Sequence, residues 1–277
     1  MIDPWAVSVV IPTYNRRGRL GRCIESVTGQ TKAHEAVLVV DDGSTDGTAD
    51  WVRRTYPRVT VIEQKHAGVS AARNNGIENA ATDWIAFLDS DDRWMPDKLE
   101  KQMRSLALNS SYRLCHTEER WIYRGKERPV AGPYRKRGGW IFRRCLPVCA
   151  ISPSTVVMHR TVFAEVGIFD ESLPACEDYD LWLRITSRMP VLLVDEPLIE
   201  KHGGHRDQLS ASWGLDRYRI RALEKILRDE GLGPDQRLLA EEKLKEKCLV
   251  FARGLEKHGK IAQARYFRSF PRNCTKK

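Results

Sequence analysis

Residues 84–92 read WIAFLDSDD, an apolar run that ends in a serine and three carboxylates. Five consecutive apolar residues favour a buried strand, and the polar residues after them mark its end. Asp89 and Asp91 stand two positions apart beyond that end. Two carboxylates so placed can hold one divalent cation, because Mn²⁺ and Mg²⁺ prefer hard oxygen ligands. An ordinary polar turn in which Asp92 caps the next helix explains the same letters, so this stretch alone leaves both interpretations open.

The sequence before this strand alternates between strand and helix patterns. Short β-branched apolar runs predict three more strands, at residues 7–11, 36–40 and 59–62. Apolar residues at helical spacing predict a helix after each of them, and residues 69–81 form the last of these helices. Alternation of this kind predicts an α/β fold with a mostly parallel sheet and helices on both faces.

Polar clusters follow three of the predicted strands, where parallel sheets bind their ligands. They are Thr13-Tyr14-Asn15, Asp41-Asp42 and Asp89-Ser90-Asp91-Asp92. Asp41-Asp42 belongs either to an ordinary turn or to a site where a carboxylate accepts a hydrogen bond from a nucleobase. Arg73, on the helix 69–81, suits a phosphate, a carboxylate that it braces, or plain solvent.

The second half of the chain is less regular. Its predicted elements are a basic, aromatic hairpin or loop at 113–150, strands at 154–158 and 191–194, helices at 161–167 and 178–188, and a helical segment from about 215 onward. The start of one helix, at Glu177-Asp178-Tyr179-Asp180, carries three carboxylates. Acidic residues are ordinary there because they complement the helix dipole, but one of them could instead be a general base.

Length and composition predict a soluble globular protein. The 277 residues are 42% hydrophobic, enough for a sizeable core. No apolar stretch approaches the roughly 20 residues that span a bilayer, and the N-terminus lacks the pattern of a signal peptide. Seven scattered cysteines without a CxxC pair argue against a disulfide framework or a zinc site. A cytoplasmic location is therefore expected.

The net charge of +9 is concentrated in two segments. Residues 113–144 hold 10 basic and 3 acidic residues, and residues 215–277 hold 17 basic and 9 acidic ones. Such segments favour anionic partners such as phosphate, anionic lipid or nucleic acid, although solvated helix faces explain much of the C-terminal excess. No nucleic-acid-binding motif is evident, so nucleic acid is not expected as a partner.

Six short motifs, in their order along the chain, resemble the family 2 glycosyltransferases with the GT-A fold. They are PTYN (12–15), DDGSTD (41–46), AARNNG (71–76), FLDSDD (87–92), GIFDE (167–171) and EDYDL (177–181). The resemblance covers about residues 6–212. It implies a GT-A catalytic domain at residues 1–212 and leaves a helical C-terminal extension at residues 213–277.

The resemblance also implies an inverting, metal-dependent, hexosyltransferase-like enzyme that uses a nucleotide sugar, by default a UDP-sugar. Asp178 would be the catalytic base that deprotonates the acceptor hydroxyl. Asp91 and His205 would bind Mn²⁺ or Mg²⁺, which neutralises the charge of the leaving diphosphate, and His202 is a close competitor of His205. The donor would contact Pro12, Thr13, Tyr14, Asp41, Asp42, Arg73, Asp89 and Ser90.

The acceptor that the resemblance implies is a saccharide or a lipid-linked one, in the synthesis of cell-surface polysaccharide or glycolipid. The basic segments would then allow peripheral contact with the anionic inner face of a membrane. C-terminal apolar residues such as Phe251 and Leu255 would either join that contact or pack the helices onto the catalytic domain.

Two other classes of function stay open at this point. A nucleotidyltransferase also uses carboxylates, a metal and an α/β sheet, but it more often opens with a Gly-rich, basic phosphate loop where this chain has PTYN. A non-catalytic module that binds nucleotide sugars or anionic polymers is the second alternative. The presence of all the expected carboxylates argues against it.

Overall fold

The computed structural model describes residues 5–32, 35–204 and 213–269. The nine strands of the described part form one sheet: β1 (Val7–Thr13), β2 (Ala36–Asp41), β3 (Thr60–Glu63), β4 (Trp84–Phe87), β5 (Arg93–Trp94), β6 (Leu114–Tyr123), β7 (Lys126–Arg128), β8 (Val157–His159) and β9 (Leu192–Gly203). The helices of the same part are α1 (Arg17–Thr28), α2 (Thr48–Thr55), α3 (Val69–Asn79), α4 (Lys98–Leu108), α5 (Phe142–Cys145), α6 (Thr161–Val166), α7 (Glu177–Thr186), α8 (Asp216–Leu227), α9 (Pro234–Lys257) and α10 (Ile261–Ser269).

The first half of the sheet is parallel, as the alternation of strands and helices predicts. β1 lies between β2 and β4, and β3 pairs with the outer side of β2. Thr13 at the end of β1 pairs in register with Asp41 at the end of β2. The Leu88 N–H donates to the Val10 carbonyl at 3.1 Å, which brings the end of β4 alongside β1. The three predicted polar clusters therefore meet at one edge of the sheet.

The second half of the sheet is mixed, which the sequence did not predict. β8 runs antiparallel to β4 and β6, β6 runs parallel to β9, and β5 runs antiparallel to β9. The hairpin expected within residues 113–150 is formed by β6 and β7. The strand expected at 154–158 is displaced to β8, because Pro153–Thr155 form a 3₁₀ turn. β9 continues to Gly203 because β6 pairs with it throughout that length.

Helices cover both faces of the sheet because its strands are apolar on both sides. Val9 and Ile11 of β1 pack into a core with α1, α2 and α4, whereas Val10 packs into a second core with α3, α5, α6 and α7. Successive side chains of a strand point to opposite faces, so one short apolar run supplies both cores. This arrangement confirms the predicted fold class.

The C-terminal helices extend the second core. Leu223 of α8 and Leu244, Phe251 and Leu255 of α9 are buried in the cluster that also holds Leu181 of α7. The packing alternative therefore applies to Phe251 and Leu255. Across the described residues, no helix combines the length and the apolar character needed to cross a membrane.

Helix α3 approaches β1 closely at Gly76, the last residue of the AARNNG motif. A Cβ atom at this position would lie 2.3 Å from Val10 Cγ1 and 2.9 Å from Val10 Cγ2. Val10 is fully buried, so it has no free space into which to move. Glycine at position 76 thus lets α3, which carries Arg73, pack against the strand that ends at Thr13.

We expect Gly76→Ala to lower the free energy of unfolding by about 1–3 kcal/mol, the usual cost of overpacking a core. Gly254→Ala in α9 is the matched control, because its added Cβ meets no atom within 4 Å. That control should gain about 0.5–1 kcal/mol, the helical advantage of alanine over glycine. Urea unfolding measures both changes, and equal effects of the two substitutions would contradict the close packing at Gly76.

Candidate active site

A cleft of about 740 Å³ opens at the edge where β1 and β4 end. The loop after β4, the start of α7, the end of β9 and the β6–β7 hairpin all contribute to its lining. Asp91 and Asp178, predicted from separate motifs, line this same cleft, together with Pro12, Asp89 and Ser90. The fold therefore brings together most of the residues that the sequence predicts for the metal, the donor and the base.

A buried arginine joins the first half of the site to the second. Arg73 Nη2 donates to Asp89 Oδ1 at 2.7 Å, and Arg73 Nη1 donates to Glu177 Oε1 at 2.7 Å. Its guanidinium also lies 5.1 Å from the centre of the Phe169 ring. Burial lowers the pKa of Arg73, but Asp89 and Glu177 raise it by more, so the net shift is upward and the side chain stays charged.

These contacts decide among the three roles considered for Arg73, which are binding a phosphate, bracing a carboxylate and lying in solvent. The side chain is 4% exposed, which excludes a solvated helix residue. Both terminal nitrogens already donate to carboxylates, so the structure favours the bracing role over a direct contact with phosphate. Arg73 and the Asp89 carboxylate that it holds both line the cleft.

Asp92 has a structural role in the DSDD stretch. Its Oδ1 accepts a hydrogen bond from the His202 N–H at 3.0 Å, and its Oδ2 accepts one from Ser154 Oγ at 2.7 Å. The alternative in which Asp92 caps α4 is therefore wrong, since its carboxylate ties the loop to β9 and to the turn before β8. Burial and the neighbouring Asp91 raise the pKa of Asp92 well above its usual value.

The surroundings of Asp91 suit a cation whose ligands come partly from the protein and partly from a substrate. Asp91 lines the cleft, and its Oδ2 lies 3.7 Å from Arg16 Nη1. No cluster of three or more His, Cys, Asp or Glu that could hold a metal occurs among the described residues. Mg²⁺ and similar ions are commonly held by one or two carboxylates plus substrate phosphates, so a carboxylate on an open cleft is a suitable donor.

Of the two histidines proposed to bind the metal, the structure describes one. His205 lies outside the described residues. His202 lines the cleft, and its Nε2 lies 3.6 Å from Glu200 Oε2, while its backbone supports Asp92. The choice between them therefore stays a prediction.

Four predicted donor residues at the ends of β1 and β2 do not line the cleft: Thr13, Tyr14, Asp41 and Asp42. Asp42 is saturated, because Oδ1 accepts from the Ala67 N–H and from Gln64 Nε2, while Oδ2 accepts from the Gly68 N–H and lies beside His66 Nδ1, each at 2.8 Å. It therefore shapes the turn before α3. Asp41 Oδ1 accepts from the Ser44 N–H at 2.7 Å, whereas Asp41 Oδ2 and Thr13 Oγ1 are buried and have no hydrogen-bond partner among the described residues.

Those two orphaned oxygens make Asp41 and Thr13 better placed than Asp42 to meet a nucleobase, since a buried polar group without a partner costs free energy. Tyr14 stacks on His66 with ring centres 4.2 Å apart and stays 42% exposed. An exposed aromatic stack at a strand end suits a planar base.

The three carboxylates at the start of α7 have three different environments. Glu177 is buried against Arg73, as described above. Asp180 is buried and pairs with Arg184 Nη2 at 2.7 Å and with Lys225 Nζ at 3.1 Å, so it supports the helix and its contact with α8. Asp178 lines the cleft and accepts a hydrogen bond from the Tyr179 N–H at 2.7 Å. Of the three, Asp178 is the one that both lines the cleft and lacks an ion pair to an arginine or lysine in the described part of the chain.

A buried set of charges beside the cleft was not found from the sequence. Lys136 and Lys201 each donate to Ser152 Oγ at 3.1 Å, and Lys136 pairs with Glu119 at 3.1 Å. Burial lowers the pKa of Lys201, but Glu119 and Asp92 raise it by more, so its net shift is upward. Burial raises the pKa of Glu119, yet Lys136 and Lys201 lower it to about 2. Both signs of charge thus persist at neutral pH.

An aromatic surface on the β6–β7 hairpin also borders the cleft; we call it the hairpin wall (Trp121, Tyr123, Arg128 and Tyr134). The Trp121 and Tyr134 ring centres are 5.2 Å apart, and the Arg128 guanidinium lies 4.1 Å from the Tyr123 ring centre. The Trp121 indole N–H donates to Glu119 Oε1 at 2.7 Å, which fixes the ring.

Fold and cleft together define an α/β protein with a carboxylate-lined cleft at the strand ends of one mixed sheet. The sequence model of glycosyl transferase family 2 matches residues 8–145. The UDP-Glc:alpha-D-GlcNAc-diphosphoundecaprenol beta-1,3-glucosyltransferase WfgD of Escherichia coli is 32% identical over 186 residues, which cover 66% of this chain and 71% of WfgD. The chain therefore belongs to glycosyl transferase family 2.

Other relatives are longer than this chain. An uncharacterized glycosyltransferase of Rickettsia felis is 36% identical over 197 residues, which cover 69% of this chain and 32% of that protein. The chain thus spans about a third of the length of this relative and of its Rickettsia conorii counterpart.

Solved structures confirm the GT-A fold. S. aureus TarS in complex with UDP-GlcNAc aligns with a TM-score of 0.72 at 18% identity, covering 94% of this chain and 79% of that one. The mannosyltransferase PcManGT from Pyrobaculum calidifontis, in complex with GDP-Man and Mn²⁺, aligns with a TM-score of 0.66 at 18% identity, covering 94% of this chain and 73% of that one.

We expect Arg73→Met to lower the free energy of unfolding by about 3–5 kcal/mol, because it leaves the buried Glu177 carboxylate without its counter-charge. Arg53→Met is the matched control, since Arg53 pairs with Asp50 and Glu63 on the surface. That change should cost less than about 1 kcal/mol. Unfolding in guanidinium chloride compares the two variants, and similar losses would show that Arg73 is not a structural link.

Proposed function

We propose that this protein transfers a sugar from a nucleoside-diphosphate sugar to an acceptor hydroxyl by a single displacement that inverts the anomeric centre. The observation that carries the proposal is that Asp91 and Asp178 line one cleft, although they lie on different elements. A carboxylate for the diphosphate side and a carboxylate for the acceptor are the two charged groups that such a reaction requires.

The nucleotide end of the donor is proposed to lie at the ends of β1 and β2. Tyr14 offers a face for the base, and Asp41 Oδ2 and Thr13 Oγ1 offer unpartnered acceptors or donors for its edge. UDP is the nucleotide proposed, because WfgD is named for UDP-Glc and TarS was solved with UDP-GlcNAc, whereas PcManGT was solved with GDP-Man. Asp89, held by Arg73, would then face the ribose.

The diphosphate is proposed to meet Mn²⁺ or Mg²⁺ at Asp91, with His205 or His202 as a further contact. The structure of PcManGT, which has the same fold, contains Mn²⁺, and this supports a cation without identifying its ligands here. A bound cation supplies a Lewis acid that neutralises charge on the departing diphosphate. Arg73 keeps the Asp89 carboxylate in place, and Asp92 anchors the loop through Ser154 and the backbone of His202.

Asp178 is proposed to take the proton of the acceptor hydroxyl as that oxygen attacks the anomeric carbon. A general base must reach the hydroxyl within hydrogen-bond distance, and the start of α7 places this carboxylate on the cleft. Because no second nucleophile is needed, the hydroxyl attacks from the side away from the diphosphate, and inversion follows.

The hairpin wall is proposed to receive the acceptor. Its aromatic rings suit the apolar face of a sugar, and Arg128 suits a phosphate attached to it. The name of WfgD describes a saccharide acceptor on a lipid diphosphate, which has both features. The cytoplasmic location and peripheral contact with an anionic membrane stay predictions.

A panel of UDP-, GDP- and dTDP-sugars with Mn²⁺ tests the proposed activity. Transfer releases a nucleoside diphosphate from one of them when a saccharide acceptor is present. Formation of a nucleoside triphosphate and a sugar 1-phosphate from the donor and added pyrophosphate would instead identify a nucleotidyltransferase, and thermal stabilisation by a donor without any turnover would identify a binding module.

We expect Asp91→Asn to abolish the thermal stabilisation that a UDP-sugar and Mn²⁺ give together, and to lower transfer on the order of 10²-fold or more, because one charged ligand is lost. Asp195→Asn, an exposed change on β9, should leave both unchanged. Full activity of the wild type in excess EDTA, or of the Asp91 variant with Mn²⁺, would remove the metal from the mechanism.

We expect Asp178→Asn to keep donor-induced stabilisation but to lower kcat at least about 10²-fold, the smaller effect of losing a general base. Asp180→Asn should keep most of kcat and lose about 1–3 kcal/mol of stability, since it weakens the contacts to Arg184 and Lys225. Steady-state kinetics and thermal unfolding of both variants test this, and the reverse pattern would assign the base to Asp180.

A further inference from the structure

Cys149 contacts the proposed base directly. Its Sγ lies 3.0 Å from Asp178 Oδ2 and 3.2 Å from the Ile151 carbonyl oxygen, and the side chain lines the cleft. The residue follows α5 in the chain, and the contact joins two segments 29 positions apart. Sequence analysis gave Cys149 no role, and the mechanism above does not use it.

The thiol is suited to donate a proton in this contact. Burial and the neighbouring Asp178 raise the pKa of Cys149 well above its usual value, so the S–H form persists at neutral pH. A protonated thiol is a weak hydrogen-bond donor, a poor nucleophile and a poor metal ligand. The thiol has one hydrogen, and Asp178 Oδ2 is both the nearer acceptor and the charged one, so the hydrogen bond runs from Cys149 to Asp178 and not to the Ile151 carbonyl.

Both oxygens of Asp178 are held by this arrangement. Oδ1 accepts from the Tyr179 N–H at 2.7 Å, and Oδ2 accepts from the Cys149 thiol. Two donors on different segments fix the rotation of the carboxylate plane, which one backbone donor on the same helix does not do. A small misorientation of a catalytic group is costly, because proton transfer needs a short and aligned approach.

We propose that Cys149 is a positioning residue for the transfer reaction: its thiol donates to Asp178 Oδ2 and orients the carboxylate toward the acceptor hydroxyl. This inference rests on the proposed role of Asp178 as the base. Cys149 also packs against the core that holds α7, so a variant that keeps a donor of similar size is needed to separate packing from the hydrogen bond.

Kinetics of three variants test the proposal. Cys149→Ala should lower kcat about tenfold while the donor KM stays within about twofold, because orientation and not binding is lost. Cys149→Ser should recover most of kcat, because a hydroxyl also donates to the carboxylate. Cys145→Ala is the matched control, because it removes the thiol of another buried cysteine, at the end of α5, and should leave kcat unchanged.

An infrared difference spectrum gives a readout that does not depend on turnover. Subtracting the spectrum of Cys149→Ala from that of the wild type isolates the S–H stretch of Cys149. We expect a lowered frequency, typical of a thiol that donates to a carboxylate, and a shift to higher frequency in the Asp178→Ala background, where the neutral Ile151 carbonyl at 3.2 Å is the weaker acceptor that remains. A frequency that Asp178→Ala does not change would overturn the hydrogen bond.

The outcomes separate this inference from the function on which it rests. Wild-type kcat in Cys149→Ala, with Asp178→Asn inactive, overturns the positioning role and leaves the base in place. A Cys149→Ser variant as slow as Cys149→Ala also overturns it. If Asp178→Asn itself keeps full activity, the proposed base is wrong and the role of Cys149 falls with it.

Discussion

The buried guanidinium of Arg73 is the interaction on which the rest of the site depends. It bridges Asp89, after β4, and Glu177, at the start of α7, two carboxylates far apart in the sequence. A buried ion pair adds little net stability, because desolvation offsets most of the Coulomb attraction, but breaking one is expensive. Its consequence here is positional. Glu177 is fixed, so the next residue, Asp178, is fixed beside the cleft that Asp89 and Asp91 border.

The groups that organise the site are mostly not the groups proposed to react. Asp92, Ser154 and the backbone of His202 hold the loop that presents Asp91. Lys201 and Glu119 place opposite charges next to it, and their pKa shifts keep both charged. Glu119 lies between the charges of Lys136 and Lys201, so these three buried ions each have an opposite neighbour, as their desolvation requires. The reacting carboxylates can then stay at the surface of the cleft.

The sequence predicted the parts of this fold that have a local pattern. β1, β2 and β4 are continuous apolar runs followed by polar residues, and their parallel order places Thr13, Asp41 and Asp89 at one edge. The mixed half of the sheet escaped prediction because the pairing of β6 with β9 joins residues 77 to 80 positions apart and leaves no periodic signal.

Side-chain contacts between distant segments leave no signal in the sequence either. Asp42 matches the motif as well as Asp41, and the difference is that turn N–H groups already saturate Asp42. Lys201 and Cys149 carry no spacing signal, since their partners come from other segments.

In the proposed mechanism, one base on α7 drives a single displacement at the anomeric carbon. The most direct test is the ¹H NMR coupling at the anomeric centre of the product formed from an α-linked nucleotide sugar. A single displacement gives a β linkage from this donor, and an α linkage would contradict that mechanism.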